Sequence, residues 1–319
     1  MAEFPQFRLD DRWISSLRGE KNKVDPEKPY ACLVEKERTA SGEIEDVTTV
    51  FLTNRECPFH CLMCDLWKNT LDYRVAPGMI PHQITWALNH LPPAKHIKLY
   101  NSGNFFDGKA IPEQDHAEIA QMLAGFETVT VECHPKLINE KCLNFKDDLK
   151  PDLHMAIGLE TVHPDILPKL NKGMDLNDFE RSIRFLNRNN IPSRAFVLLR
   201  PPFMTESEGI KWAKRSIDYA FYLGVECCVV IPTRAGNGAL DWLQTNEYFS
   251  HPAISSLESV LEYGIQLNTG RVFADLWDIE LFSSCKRCIH KRKSRLQQMN
   301  LQQKILPSIE CDCDLSKSE

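Results

Sequence analysis

The chain of 319 residues has a formal net charge of −6, with 43% hydrophobic and 26% charged residues. This composition is ordinary for a globular protein and excludes bulk disorder, collagen and coiled coil. The acidic balance argues against a protein that coats nucleic acid. No apolar run is long enough to span a membrane, and the first residues show no secretory signal. We therefore expect a cytoplasmic protein whose twelve cysteines are not paired in disulfides.

Strand-forming segments recur along the chain from residue 46 onward. The preceding residues, 1–45, are polar and mixed, and they predict an N-terminal extension with one strand at residues 30–34. The runs rich in β-branched residues that follow predict six strands. These predicted strands are residues 47–52, 96–100, 128–131, 153–157, 193–199 and 225–231.

Helical periodicity separates these strands. Ile80, Ile84 and Leu88 share one helical face. Phe179, Ile183 and Leu186 share another, with the helix capped by Asp178 or a neighbour. Thr205 and Glu208 form a capping box before a further helix. Beyond residue 240 the alternation weakens, and the predicted elements there are a helix at 253–267, a strand at 271–277 and a helix at 290–306.

Strands that alternate with helices predict repeated βα units and a parallel sheet, either open or closed into a full or partial barrel. No Gly-x-Gly-x-x-Gly follows the first strand at 47–52, which weakens the dinucleotide-binding open sheet. In either closure, active groups gather at the carboxyl ends of the strands. We divide the chain into the extension at 1–45, a core at 46–240 and a C-terminal extension at 241–319.

Three cysteines follow the first of these strands at once, in the spacing C-x3-C-x2-C. They are Cys57, Cys61 and Cys64. Thiolates bind soft metals, and structural zinc normally takes four protein ligands. A [4Fe–4S] cluster can accept three thiolates and leave one iron open. A zinc site completed by His60 or a distant residue is the alternative.

This motif resembles that of the radical S-adenosylmethionine (SAM) superfamily, in which the cluster ligands lie on the loop after the first strand of a partial (β/α)6 barrel, a TIM-like fold. The resemblance implies that Cys57, Cys61 and Cys64 ligate three irons and that SAM chelates the fourth. It also implies a one-electron donor, flavodoxin-like or ferredoxin-like, reductive cleavage of SAM, and hydrogen abstraction from a substrate. The family usually has an aromatic residue at the position of Met63, where a thioether could contact the adenine.

The resemblance also assigns residues at the other strand ends. Asn101, Ser102 and Gly103 look like a substitute for the family's Gly-Gly-Glu turn, which binds the SAM amine; a plain turn would need the same residue types. Glu160, and after it Glu132, could accept hydrogen bonds from the ribose hydroxyls, or each could pair with a Lys or Arg instead.

Arg200 could hold the SAM carboxylate, or it could form a structural ion pair. The loop after the sixth strand, 231–238, suits adenine contacts. Cys133 and His134 could reach a substrate, although such residues are more often buried. Cys227 and Cys228 are interpreted as small core residues.

Short motifs suggest relatives within the superfamily. Gly158-Leu159-Glu160-Thr161 with Asn171-Lys172-Gly173 is similar to the subgroup of tRNA methylthiotransferases and the Elongator catalytic subunit. The sequences around Ser102-Gly103, Glu132–Pro135 and Leu199–Phe203, with the cysteine-rich tail, resemble the archaeosine-forming radical SAM family. The densest basic stretch, residues 286–295, could contact tRNA or could be a solvated helix face.

The tail carries a second group of four cysteines in the spacing C-x2-C-x22-C-x-C. They are Cys285, Cys288, Cys311 and Cys313. Zinc or an auxiliary [4Fe–4S] cluster could use this set, and the spacing does not decide between them. The 22 residues between Cys288 and Cys311 are predicted to be mostly helical. Pro307 is predicted to end that helix, so that the first pair of cysteines can approach the second.

We therefore predict a radical SAM enzyme with a [4Fe–4S] cluster, SAM and a second iron–sulfur or zinc site. Its substrate is unknown, with a modified nucleoside or tRNA as one class and a small molecule or peptide as the alternative. The rival from another class is a non-catalytic zinc or iron–sulfur interaction protein. No membrane partner is expected.

Overall fold

One curved sheet of eight strands organises the protein. The structure, a computed structural model, describes residue 5 and residues 8–313. Every strand pairs with its neighbours in chain order. The first pair is antiparallel, and the remaining pairs are parallel. The strands are β1 (Ala31–Arg38), β2 (Ile44–Phe51), β3 (His96–Tyr100), β4 (Thr128–Glu132), β5 (Asp152–Glu160), β6 (Ser193–Leu199), β7 (Cys227–Pro232) and β8 (Arg271–Ala274).

Helices connect the parallel strands, as a βα succession requires. The α-helices of the described residues are α1 (Asp11–Ser16), which precedes the sheet, α2 (Met79–His90), α3 (His116–Met122), α4 (Glu140–Asp148), α5 (Leu176–Arg188), α6 (Glu206–Tyr222), α7 (Ala239–Thr245), α8 (Ile254–Leu267) and α9 (Ile289–Gln302), which follows the sheet. None of these helices combines the length and the apolar character that a membrane crossing requires.

The apolar core lies between the sheet and the helices on its outer side. The faces predicted from periodicity are the ones buried there: Ile80 and Ile84 of α2 are fully covered, as are Phe179 and Ile183 of α5. Burying such side chains stabilises the fold by about 1.5–3 kcal/mol each. Cys228 also belongs to this core, which confirms its interpretation as a small buried residue.

Charged side chains meet on the concave face of the sheet. Glu37 of β1 pairs with Lys98 of β3 at 2.5 Å and with Arg194 of β6. Arg271 of β8 donates to the carbonyl oxygen of Arg38. Strands that are not neighbours can touch in this way only across the concave face, so the sheet is strongly curved and its two edges approach each other. The prediction of a partial barrel is confirmed.

Several predicted elements need correction. The strand at 271–277 ends at Ala274, and the helix at 290–306 ends at Gln302. Gln303 ends that helix with a positive φ, and its side-chain amide bonds both the N–H and the carbonyl of Val272. Pro307 is therefore not what breaks the helix. The cap of α5 is Asp175, whose side chain accepts from the N–H of Asp178.

The sheet also runs past the predicted core on both sides. β1, from within the N-terminal extension, is its first strand, and β8, from within the C-terminal extension, is its last. The short helices α1, α3, α4 and α7 had no counterpart in the prediction. The capping box of Thr205 and Glu208 is confirmed at the start of α6.

Candidate active site

The loop with the first three cysteines lies at the carboxyl end of β2. Leu62, in the middle of this loop, is fully buried in a second apolar cluster with residues of α1 and α7. Its N–H donates to the carbonyl oxygen of Leu170 at 2.8 Å. The side-chain amide of Asn237 donates to the carbonyl oxygens of Leu62 (2.8 Å) and Cys64 (3.2 Å). The loop is thus held by an apolar anchor and by the segment after β7.

The three thiols of this loop form one electrostatic group. Burial raises the pKa of Cys57, Cys61 and Cys64 to about 12, and each has another of the three among the neighbours that raise its pKa further. Such thiols hold their protons unless a metal ion is bound, because burial disfavours the charged thiolate. A positively charged metal centre is what such a donor set fits, and binding it would release protons.

The turn after β3 packs directly on this loop. The Asn104 amide donates to the sulfur of Cys57 at 3.2 Å. A Cβ on Gly103 would lie 3.1 Å from the Cβ of Cys57, so a larger residue would force Cys57 to shift slightly. The half-buried Glu132 carboxylate accepts from the N–H groups of Asn101 (2.5 Å) and Gly103 (3.2 Å). Glu132 therefore shapes the turn that Asn101, Ser102 and Gly103 form.

Asn101 has an unpaired side chain at this end of the sheet. Its side chain is 0% exposed, and neither its amide nitrogen nor its amide oxygen has a hydrogen-bond partner. The hydroxyl of Thr53 at the end of β2 is also unpartnered. Leaving such groups unpaired costs about 1–3 kcal/mol each. Polar groups of a bound molecule would remove that cost, which fits the predicted amine contact.

Glu160, at the end of β5, pairs with Lys172 on the following loop. The Nζ and Oε1 atoms lie 2.7 Å apart, and both side chains are at least nine-tenths buried. Burial would lower the pKa of Lys172, but the Glu160 carboxylate and the Cys61 and Cys57 thiols raise it. A cation thus lies beside the cysteine loop. The pairing of Glu160 with a lysine was the alternative that the sequence left open.

Three residues at these strand ends have a positive φ. Ser102, Glu160 and Arg200 follow or end β3, β5 and β6, and their φ angles are +54°, +65° and +54°. Residues other than glycine rarely adopt this region, and such strain clusters at functional sites.

Arg200 is bound by the Glu206 carboxylate (2.5 Å) and by the carbonyl oxygen of His251 (2.9 Å), so its contacts are those of a structural ion pair.

His134 supports the cysteine loop. Its ring stacks on Phe59 at a centroid distance of 3.8 Å. Burial lowers the pKa of His134 to about 3, so the ring is neutral. Nε2 lies 2.9 Å from the Lys172 carbonyl oxygen and Nδ1 accepts from the Lys136 N–H, which assigns the proton to Nε2. His134 and Cys133 are both buried.

Two supporting contacts of the loop were not foreseen. Asn171 donates its amide to the carbonyl oxygen of His60 at 2.8 Å. Phe59, which stacks on His134, also lies against Gly173. The Asn171-Lys172-Gly173 motif was visible in the sequence, but its distance of more than a hundred residues from the cysteines hid its role. Met63 packs at the edge of the second apolar cluster.

The four tail cysteines converge. Their sulfur atoms all lie within 4.8 Å of one another. The Sγ–Sγ distance is 3.7 Å both for Cys285 and Cys311 and for Cys288 and Cys313.

The neighbouring basic stretch, 286–295, uses much of its charge internally. Arg292 and Arg295 are buried and pair with Glu258, and Arg295 also binds Glu262 at 2.6 Å. Lys293 pairs with Glu280. These contacts leave less of the stretch to attract a polyanion.

The chain is similar in sequence to a few known proteins. No protein-family model matches the chain. An uncharacterized protein of Methanocaldococcus jannaschii is 25% identical, over 92% of this chain and 87% of its own. Archaeosine synthase subunit beta of Thermococcus kodakarensis is 28% identical over 38% of this chain and 39% of its own. That of Methanosarcina acetivorans is 27% identical over 43% of each chain. Less than half the length of either synthase subunit is matched.

Among solved structures, methylornithine synthase superposes with a TM-score of 0.53 at 16% identity, covering 72% of this chain and 66% of that one. Elp3 of Methanocaldococcus infernus superposes at 0.50 and 12% identity, covering 69% and 58%. Streptococcus suis SuiB does so at 0.51 and 11% identity, covering 72% and 48%. These likenesses concern the fold. The chain has the partial-barrel fold of the radical SAM enzymes, and the resemblance drawn from the cysteine spacing is confirmed at that level.

Proposed function

We propose that this protein is a radical SAM enzyme that binds a [4Fe–4S] cluster at Cys57, Cys61 and Cys64. The observation that carries the proposal is the position of these three cysteines, in the spacing C-x3-C-x2-C, on the loop at the carboxyl end of β2. In a barrel of this kind, that edge is where active groups gather. When bound and reduced, the cluster would supply the electron that cleaves SAM to methionine and a 5′-deoxyadenosyl radical, which abstracts hydrogen from the substrate.

The chain's own residues would bind and orient SAM around this loop. The unpartnered amide of Asn101 would meet the amine, with Ser102 and Gly103 bringing the backbone close. Glu160 would accept from the ribose hydroxyls through the oxygen that Lys172 leaves available. Glu132 would act through the turn it shapes, because its carboxylate already accepts two backbone N–H groups. Met63 is the proposed adenine contact. Arg200 could hold the SAM carboxylate only by giving up part of its contact with Glu206.

A nucleoside, free or within tRNA, is the substrate class we favour. The partial similarity to two archaeosine synthase subunits supports this choice. Aromatic rings also line the concave face below the cysteine loop: Phe51 lies 5.9 Å from Tyr100, and Tyr100 lies 6.3 Å from Phe196 on the opposite side. Such rings offer stacking surfaces to a planar base. The alternative, a small molecule or peptide, would contact the same concave face without a tRNA contact.

The remaining partners follow from the chemistry. A one-electron donor, flavodoxin-like or ferredoxin-like, would reduce the cluster. The cytoplasm, a reducing compartment, suits a chain with twelve cysteines, none of which is paired in a disulfide. The tail thiols would bind a second metal centre.

Anaerobic reconstitution with iron and sulfide tests the cluster assignment. We expect about four irons and four sulfides per chain at this loop, with the broad visible absorbance of a [4Fe–4S] cluster. The variants Cys57→Ala, Cys61→Ala and Cys64→Ala should each lose these irons and sulfides. Cys32→Ala is the matched control, because Cys32 lies on β1, outside the loop, and is also partly exposed. Tight zinc at the loop in place of iron would instead favour the non-catalytic interaction protein.

A further inference from the structure

The separations of the four tail sulfurs differ in their fit to the two kinds of metal centre that the spacing left open. The Sγ–Sγ distance is 3.7 Å for Cys285 and Cys311 and again for Cys288 and Cys313. A disulfide needs its sulfurs about 2.05 Å apart, so these pairs are not bonded. All four sulfurs lie within 4.8 Å of one another, which places them around a single point.

A single tetrahedral ion accounts for these distances. Zinc binds thiolate sulfur at about 2.3 Å, so the edge of a regular ZnS4 tetrahedron is about 3.8 Å. Both 3.7 Å separations match that edge to within about 0.1 Å.

An iron–sulfur cube requires a wider arrangement. Each thiolate binds a different iron at its own corner of the cube. Two metal–sulfur bonds and one iron–iron edge then separate any two thiolates, and the bonds point outward from the cube. The four sulfurs would have to move apart to admit such a cluster. We propose that Cys285, Cys288, Cys311 and Cys313 bind one structural zinc ion rather than an auxiliary cluster.

The surroundings suit a compact anionic site. Four thiolates and one zinc ion leave a net charge of −2. Cys288 directly precedes α9, whose first peptide N–H groups and dipole favour negative charge. Arg287 and Lys291 line the hollow beside Cys288 and Cys311.

The role of such an ion is local. α9 packs into the main core through Ile289, Leu296 and Met299, and it would stay in place without zinc. The chain beyond it is tied by Arg295, which donates to the carbonyl oxygens of Leu306 and Pro307 at 2.6–3.2 Å. The zinc ion would fasten the segment with Cys311 and Cys313 to the turn before α9. With zinc, which has no redox chemistry, the tail would not relay electrons.

Metal analysis of the full chain tests this inference separately from the proposed function. The purified protein should contain about one zinc per chain, and reconstitution should add only the irons of the first site, about four. Cys285→Ser and Cys313→Ser should lose the zinc and keep the iron. Cys57→Ala should lose the iron and keep the zinc, whether or not the first cluster proves catalytic.

Cobalt provides the geometric check on the unmutated protein. Chelation of zinc followed by addition of Co²⁺ should give the intense visible bands of a tetrahedral tetrathiolate site, and added Zn²⁺ should displace them. Because this test uses no variant, a folding defect cannot mimic a negative result. About eight irons per reconstituted chain, falling to about four in Cys313→Ser, would overturn the proposal, as would unchanged zinc in both tail variants.

Discussion

Lys172 and Glu160 form a buried ion pair beside the cysteine loop, with Nζ 2.7 Å from Oε1. Glycine at position 158 makes room for it, because a Cβ there would collide with both charged groups. The pair joins the end of β5 to the loop on which His134 and Phe59 also converge. The pair therefore contributes both to the stability of the fold and to the position of the loop that contacts the cysteine loop.

Breaking this pair should destabilise the protein. Removing one partner leaves the other charge buried and uncompensated, so Glu160→Ala and Lys172→Met should each lower the free energy of unfolding by about 3–5 kcal/mol. The double variant Glu160→Ala, Lys172→Met should lose clearly less free energy of unfolding than the two single variants lose together. Urea unfolding of the four proteins measures this coupling, and simple additivity would show that the pair contributes nothing as a pair.

SAM affinity should depend on the Glu160 carboxylate. Glu160→Gln removes a charge-assisted bond to the ribose, which should weaken SAM binding by about tenfold to a hundredfold at normal iron content. Lys172→Met keeps the Glu160 carboxylate and serves as the control, and it should lose less SAM affinity than Glu160→Gln. Equilibrium binding to the reconstituted proteins measures both. Unchanged affinity in Glu160→Gln would transfer the ribose role to another residue, with Glu132 the next candidate.

Glu132 should make stability depend on pH. Burial raises the pKa of Glu132 to about 6, against the opposing effect of the N–H groups of Asn101 and Gly103. The folded state therefore holds this proton more tightly than the unfolded state does. Stability should fall as pH rises from about 4.5 to about 6, by about 2 kcal/mol relative to Glu132→Gln. If the free energies of unfolding of the unmutated protein and Glu132→Gln change with pH in the same way across this range, Glu132 is not the group responsible.

Gly103→Ala should disturb the first metal site without unfolding the protein. The added methyl would lie 3.1 Å from the Cβ of Cys57 and 3.6 Å from its sulfur. We expect a lower iron content after reconstitution and little change in melting temperature. Gly125→Ala is the matched control, since nothing lies within 4 Å of a Cβ there. Equal iron in both variants would show that the turn after β3 tolerates the methyl.

Sequence reasoning reached the features that local patterns encode. The spacing of Cys57, Cys61 and Cys64 and the alternation of strands and helices are local, and they were enough for the fold. The helix α4, with few apolar residues, gave too weak a periodicity to detect. The partners across the barrel could not be foreseen: Glu37 and Arg194, which pair, are 157 residues apart. Nor could spacing alone choose the tail metal, because that choice depends on the distances between sulfurs.

Formation of 5′-deoxyadenosine tests the central claim most directly. The reconstituted protein, reduced with dithionite under anaerobic conditions and given SAM, should produce 5′-deoxyadenosine and methionine. Cys57→Ala should produce none, and Cys32→Ala should match the unmutated protein. Addition of unmodified tRNA or candidate nucleosides should raise the yield if they are substrates. An unmutated protein with a full cluster that binds SAM but forms no 5′-deoxyadenosine under any of these conditions, or a Cys57→Ala variant that forms it at the full rate, would contradict the account.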